Sequence, residues 1–159
     1  MINFRELSKE ITNEREKLME KTKDALFRLE KELKRNWNFD LELLDLEIYD
    51  PGYESGKEKL VLVFDANKEE IVVRHEVNHY IEEENIIESF VDHTSNTDHF
   101  ELGHYKNKKI KDFELDICEE IASYFCIIGE NIENQIKEEI ENLNNLLEKI
   151  QWSVGSSYV

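Results

Sequence analysis

Between Phe4 and about Arg35 the chain has neither proline nor glycine, and apolar side chains fall at Phe4, Leu7, Ile11, Leu18, Ala25, Leu29 and Leu33. This spacing returns to one side of a helix every three or four residues and predicts a long amphipathic N-terminal helix. Phe39, Leu41 and Leu43 then alternate with polar positions, and the alternation resumes out of phase at Leu44, Leu46 and Ile48. A half-buried strand with a bulge is expected there. Residues 50–59 hold the only proline and two of the five glycines, so the chain should turn before the apolar run Leu60–Phe64 forms a second strand. Together these segments predict an antiparallel hairpin.

Residues 69 to about 90 fit two periods. Ile71, Val72 and Val73 favour a strand, whereas Val73, Val77, Tyr80, Ile81 and Glu84 follow helical spacing. Our reading is a helix. Residues 91–109 are polar, carry three of the five histidines and read as irregular chain or short strands. From Lys111 to about Ile150 apolar positions recur at Ile117, Ile121, Phe125, Ile128, Ile132, Ile136, Ile140, Leu143, Leu147 and Ile150. One long helix is predicted, interrupted near Gly129, with a coiled-coil-like distal half that can pair with the N-terminal helix or with a second subunit. The expected fold is therefore α+β in a single domain over residues 1–159. It comprises an N-terminal helix (1–36), a sheet-containing core (37–128), a helical extension (129–150) and a tail (151–159).

Composition narrows the partners. A chain of 159 residues that is 40% hydrophobic can bury a modest core, and its formal net charge of −17 repels phosphate backbones and anionic membranes. Direct nucleic-acid binding is disfavoured. A basic partner, such as a DNA-binding regulator, suits this charge better. The N-terminus lacks a signal-like apolar run and no segment approaches the ~20 apolar residues of a membrane span, so a cytoplasmic location is expected. Cys118 and Cys126 lie eight residues apart on one expected helix, roughly 12 Å along its axis, too far for a disulfide. Both are expected to be buried thiols.

The stretch with the most chemistry is His75-Glu76-Val77-Asn78-His79. On a helix, residues four apart share a face, so both imidazoles can reach one zinc ion while the intervening carboxylate stands beside it as a base for metal-bound water. This is the H-E-x-x-H pattern of zinc metallopeptidases. A third ligand is needed, and the segment Cys118-Glu119-Glu120-Ile121-Ala122-Ser123-Tyr124-Phe125 offers Glu119 followed by a small residue that permits close helix approach. Glu120 is an equal alternative.

Taken together, the two segments resemble gluzincin metallopeptidases, in particular the ImmA/IrrE-like family with its Glu-x-x-Ala-Asn-x-Phe helix. Asn78 and Ser123 depart from that family's pattern, and the His79 to Glu119 gap is long. The resemblance implies a zincin-like fold with an active-site helix, and a regulatory protease of the kind found in phage and mobile elements. It implies zinc held by His75, His79 and Glu119, Glu76 as general base, and a specific protein substrate. The strand Leu60–Phe64 would offer an edge for that substrate. A metzincin is not expected, because the position six residues beyond His79 is Asn85. His93, His99, His104, Tyr105 and Tyr124 remain as candidates for oxyanion stabilisation, and the three histidines also as third ligands; His104 is preferred. Two rival readings need no metal. One is an acidic interaction protein, such as an immunity protein or nucleic-acid mimic. The other is a helical module that dimerises through residues 113–150.

Overall fold

The computed structural model describes residues 1–48, 58–83, 86–93 and 100–157. Helix α1 runs Phe4–Asn36, and the Asn3 side chain caps it by accepting from the Glu6 N–H at 3.2 Å. Strands β1 (Leu41–Leu46), β2 (Glu58–Asp65), β3 (Glu70–Glu83) and β4 (Ile86–Asp92) follow. They form one antiparallel sheet in the order β1-β2-β3-β4. Helices α2 (Phe100–Tyr105), α3 (Leu115–Ser123) and α4 (Phe125–Ser157) complete the described chain, with a short 3₁₀ turn at Ile110–Asp112. No helix among the described residues is long and apolar enough to cross a membrane.

One face of the sheet carries the core. Leu41, Leu44 and Leu46 of β1, Leu60, Leu62 and Phe64 of β2, and Ile71 and Val73 of β3 pack with Leu26, Phe113, Ile117, Cys118, Ile121 and Ile128. Burial of this apolar set is the main stabilising term. The register of β1 against β2 shifts between Glu42 and Leu44, so the expected bulge is present, and it lets Leu43 and Leu44 both be buried. The predicted β1–β2 pairing is also present, although most of the turn between them, residues 49–57, lies outside the described residues.

Residues 69–90 differ from expectation. Instead of an active-site helix they supply β3 and β4, with residues 84–85 between them outside the described chain. The reason is visible in the alternation: Ile71, Val73, His75 and Val77 fall on the core-facing parity, and Val72, Arg74 and Glu76 on the other. Both faces near Val72 are covered, because Val61, Val63 and Val72 form a second small buried cluster. A strand buried on both faces reads as a run of β-branched residues, which is what Ile71-Val72-Val73 provides. Pairing with β3 also makes β2 an inner strand, so Leu60–Phe64 does not offer the substrate edge expected of it.

The break in the last helical stretch falls at Tyr124 and not near Gly129. Cys118 is buried as expected, with its thiol pKa raised by desolvation, but Cys126 is exposed. At the β2–β3 turn, Asp65 Oδ1 accepts the N–H groups of Asn67 and Lys68, and Glu69 takes a left-handed φ of 56°. A glycine is the residue that tolerates this backbone best. Glu69→Gly is expected to stabilise by about 0.5–1 kcal/mol, since the exposed Lys34–Glu69 pair that it removes is worth little. Thermal unfolding should show a midpoint raised by about 2 °C; a lowered midpoint would contradict the turn geometry.

Candidate functional site

The positions that suggested a zinc centre are placed apart. His75 stands opposite Leu60 on the core-facing side of β3 and is fully buried. Glu76 stands opposite Lys59 and so lies on the other face of the sheet. His79, paired with Phe90, is four strand residues from His75, about 13 Å along a strand. On a helix the same spacing would close to about 6 Å. Glu119 is exposed on α3, whereas its neighbour Glu120 is buried and accepts a hydrogen bond from the Glu47 N–H. Desolvation raises the pKa of Glu120, against the lowering effect of the Glu47 and Ile48 N–H groups. This arrangement does not fit an H-E-x-x-H zinc centre. Among the described residues no three His, Cys, Asp or Glu side chains are placed to hold one metal ion.

The other candidates are scattered too. His104 sits in α2 with Nε2 3.2 Å from Glu114. The Tyr105 hydroxyl donates to Asp116 at 2.5 Å, and His93 Nδ1 lies 3.5 Å from Glu76 Oε1. Burial and the Arg74 charge lower the pKa of His93, outweighing Glu42, Asp40 and Asp92. His99 lies outside the described residues.

Glu76 is nevertheless unusual. Only 2% exposed, its carboxyl is raised to about 7, first by desolvation and then by sharing a hydrogen bond with Glu42, while Lys59 opposes the shift. Lys59 lies 3.6 Å from both Glu76 and Asp45. Burial lowers the pKa of this lysine, but Asp45, Glu76 and Glu42 outweigh that and raise it. Arg74, on the same face, pairs with Asp40 at 3.3 Å and Asp65 at 3.5 Å. These charges answer one another across the sheet.

A different place gathers carboxylates with no lining cation among the described residues. Helix α4 lies along the free edge of β1, where Asn131 Nδ2 donates to the Leu43 carbonyl at 2.9 Å. Gln135 bonds both backbone groups of Glu42, accepting its N–H at 2.8 Å and donating to its carbonyl. The bulge frees the Leu43 carbonyl for this contact, and the two amides cap backbone groups that an edge strand would otherwise offer to another chain. Between the strand and the helix runs an open groove of about 440 Å³. Glu42, Asp45, Glu47 and Glu138 supply its charge, and Leu44, Tyr124 and Ile127 its apolar surface; among the described residues no Lys or Arg lines it. Tyr124, one of the oxyanion candidates, is thus a groove residue.

Comparisons with protein-family models, with curated proteins and with solved structures find no match.

Charge distribution adds to the groove. Residues 4–36 hold ten Lys and Arg against eight Asp and Glu, whereas residues 37–159 hold ten against 29. The acidity therefore belongs to the part of the chain that builds the sheet, α3 and α4. Sequence reasoning registered the net charge but not its place. The available signal was the Asn131–Gln135 pair, two amides one helical turn apart, although Asn134, Asn142, Asn144, Asn145 and Gln151 on the same helix make it a weak one.

Proposed function

We propose that the chain is a non-catalytic acidic interaction protein whose groove between β1 and α4 takes a basic segment of a protein partner. The observation that carries this reading is the groove lining: Glu42, Asp45, Glu47 and Glu138 around Leu44, Tyr124 and Ile127, with no cationic side chain among the described lining residues and only Asp45 answered from the sheet, by Lys59 at 3.6 Å. Lysine and arginine present an aliphatic stem and a charged head, so a wall of carboxylates over apolar surface matches both parts. The acidic field of residues 37–159 would speed the encounter and discriminate against acidic partners. An immunity protein or a nucleic-acid mimic that occupies a basic site belongs to this class. The zinc-peptidase reading needs His75 and His79 on one helical face, and β3 does not supply that geometry.

Fluorescence anisotropy of a labelled peptide rich in Lys and Arg tests the proposal. The triple variant Asp45→Asn/Glu47→Gln/Glu138→Gln should weaken binding at least tenfold, about 1.4 kcal/mol. A control with the same loss of charge on α1, Glu16→Gln/Glu20→Gln/Asp24→Asn, should change it less than about twofold. Affinity should also fall as NaCl is raised from 50 to 200 mM. Equal weakening by both triple variants would show that net charge alone attracts the peptide, and the groove reading would fail.

A further inference from the structure

The groove leaves the distal part of α4 unused, and that part has a regular repeat of its own. Ile136, Ile140, Leu143, Leu147, Ile150 and Val154 are spaced by four, three, four, three and four residues, which is the d-a-d-a-d-a pattern of a coiled-coil seam. Among the described residues the seam is uncovered beyond the partly buried Ile136: Ile140, Leu143, Leu147 and Ile150 are 49–61% exposed, and Leu146 beside them 54%. The five exposed side chains, Ile140, Leu143, Leu146, Leu147 and Ile150, offer roughly 100 Å² each, or about 500 Å² per helix. This is below the ~800 Å² per partner of a standard interface and within the range of transient ones, so a second helix of the same kind can form a transient pair.

We infer that the chain self-associates through residues 136–154 of α4, packed antiparallel against the same segment of a second copy. Charge supports a copy of this chain as the occupant. The flanking e positions are Lys137, Asn144 and Gln151, and the g positions Glu139, Leu146 and Ser153. In a chain of net charge −17 these six positions hold a single acid and a single base, and the remaining acids of the segment lie elsewhere on the helix.

The direction follows from pairing. With the helices antiparallel and centred near residue 145, Ile140 faces Ile150 of the second copy, Leu143 faces Leu147, and Ile136 faces the position of Val154. Leu146, the one apolar residue at a flanking position, then meets its own copy, as does Asn144 on the other side. In a parallel pair Leu146 would meet Gln151. The antiparallel arrangement also keeps the two acidic sheet-bearing parts at opposite ends of the paired segment, whereas a parallel one would set them side by side.

Sedimentation velocity of the full chain from about 1 to 200 µM tests the inference. A monomer–dimer transition with a midpoint in the micromolar range is expected, and it should move to lower concentration as NaCl is raised, because salt screens the repulsion between acidic chains. Leu143→Glu/Leu147→Glu should abolish the dimer while leaving the unfolding midpoint within about 2 °C, since both residues are exposed in the single chain. For direction, Leu146→Cys and Leu143→Cys are each introduced with Cys126→Ser, which removes the exposed native thiol. Mild oxidation should cross-link Leu146→Cys to itself and leave Leu143→Cys largely unlinked. A monomer over the whole concentration range would overturn self-association, and efficient linkage of Leu143→Cys alone would overturn the antiparallel arrangement.

Discussion

His75→Ala is expected to lower stability by about 2–4 kcal/mol, while His75→Leu should cost less than about 1.5 kcal/mol. The side chain is fully buried on β3 opposite Leu60, next in parity to Val73 and its partner Leu62. Alanine there removes most of the side chain and leaves a cavity that a close-packed sheet face closes only in part. Leucine restores volume and brings no polar atoms. For a chain of this size, the alanine loss corresponds to a fall of about 4–16 °C in the thermal midpoint. A metal-ligating histidine on an exposed helix would show a different order, with both variants losing zinc and neither losing much stability in its absence. Urea unfolding of the two variants in the presence of a chelator separates the cases. Equal and small effects would remove His75 from the core.

The second large effect depends on pH. The Glu76 carboxyl is raised from 4.5 to about 7, chiefly by burial and by its hydrogen bond with Glu42. Between pH 4.5 and 7 the folded chain therefore binds this proton more strongly than the unfolded chain, so stability declines as pH rises through that window. The decline is complete above about pH 7. Glu76→Gln cannot ionise and keeps a hydrogen-bonding group beside Glu42, so it is expected to stabilise the protein at pH 8. The upper bound is roughly 3 kcal/mol, reduced by loss of the Lys59 pair. The gain should shrink toward zero below pH 4.5, where wild-type Glu76 is protonated in both states. Urea midpoints of wild type and variant at pH 4.5, 6 and 8 would show a widening difference. A constant difference across that range would mean that Glu76 does not titrate inside it.

How the sequence expressed this fold differs from element to element. Helix α1 was legible because Phe4 to Asn36 lacks breakers and Leu18, Ala25, Leu29 and Leu33 keep helical spacing; its burial begins only near Leu18, and its fully buried apolar residue is Leu26, which lies beside the stripe read from the sequence. The bulge at Leu43 was legible because consecutive leucines must both be buried, which simple alternation does not allow. β3 was misread for a specific reason. Positions four apart, such as Val73 and Val77, share a face in a helix of period 3.6 and equally in a strand of period 2, so that spacing does not discriminate. The i+2 neighbours do discriminate: Ile71, Val73 and His75 lie together in the core, which only the strand period explains. Tertiary context adds what local pattern lacks, because β2 is apolar on both faces and needs a partner on each side.

The H-E-x-x-H motif presupposed the helix, and its chemistry does not survive the change of period. The groove was hidden for another reason. Glu42, Asp45, Glu47 and Glu138 come from two distant segments, and nothing in their local sequence distinguishes them from the other acids of this chain. Their meeting depends on Asn131 and Gln135 holding α4 against the β1 edge.

The sheet and the loss of the zinc geometry both depend on residues 70–83 being a sheet strand and not a metal-binding helix. Backbone chemical shifts over those residues, recorded without metal and with one equivalent of Zn²⁺ per chain, test this most directly. Extended-strand shifts through β3, unchanged on zinc addition, are the predicted result. Helical shifts at residues 73–84, or changes at His75 and His79 that saturate at one zinc per chain, would contradict it and return the motif to a metal centre.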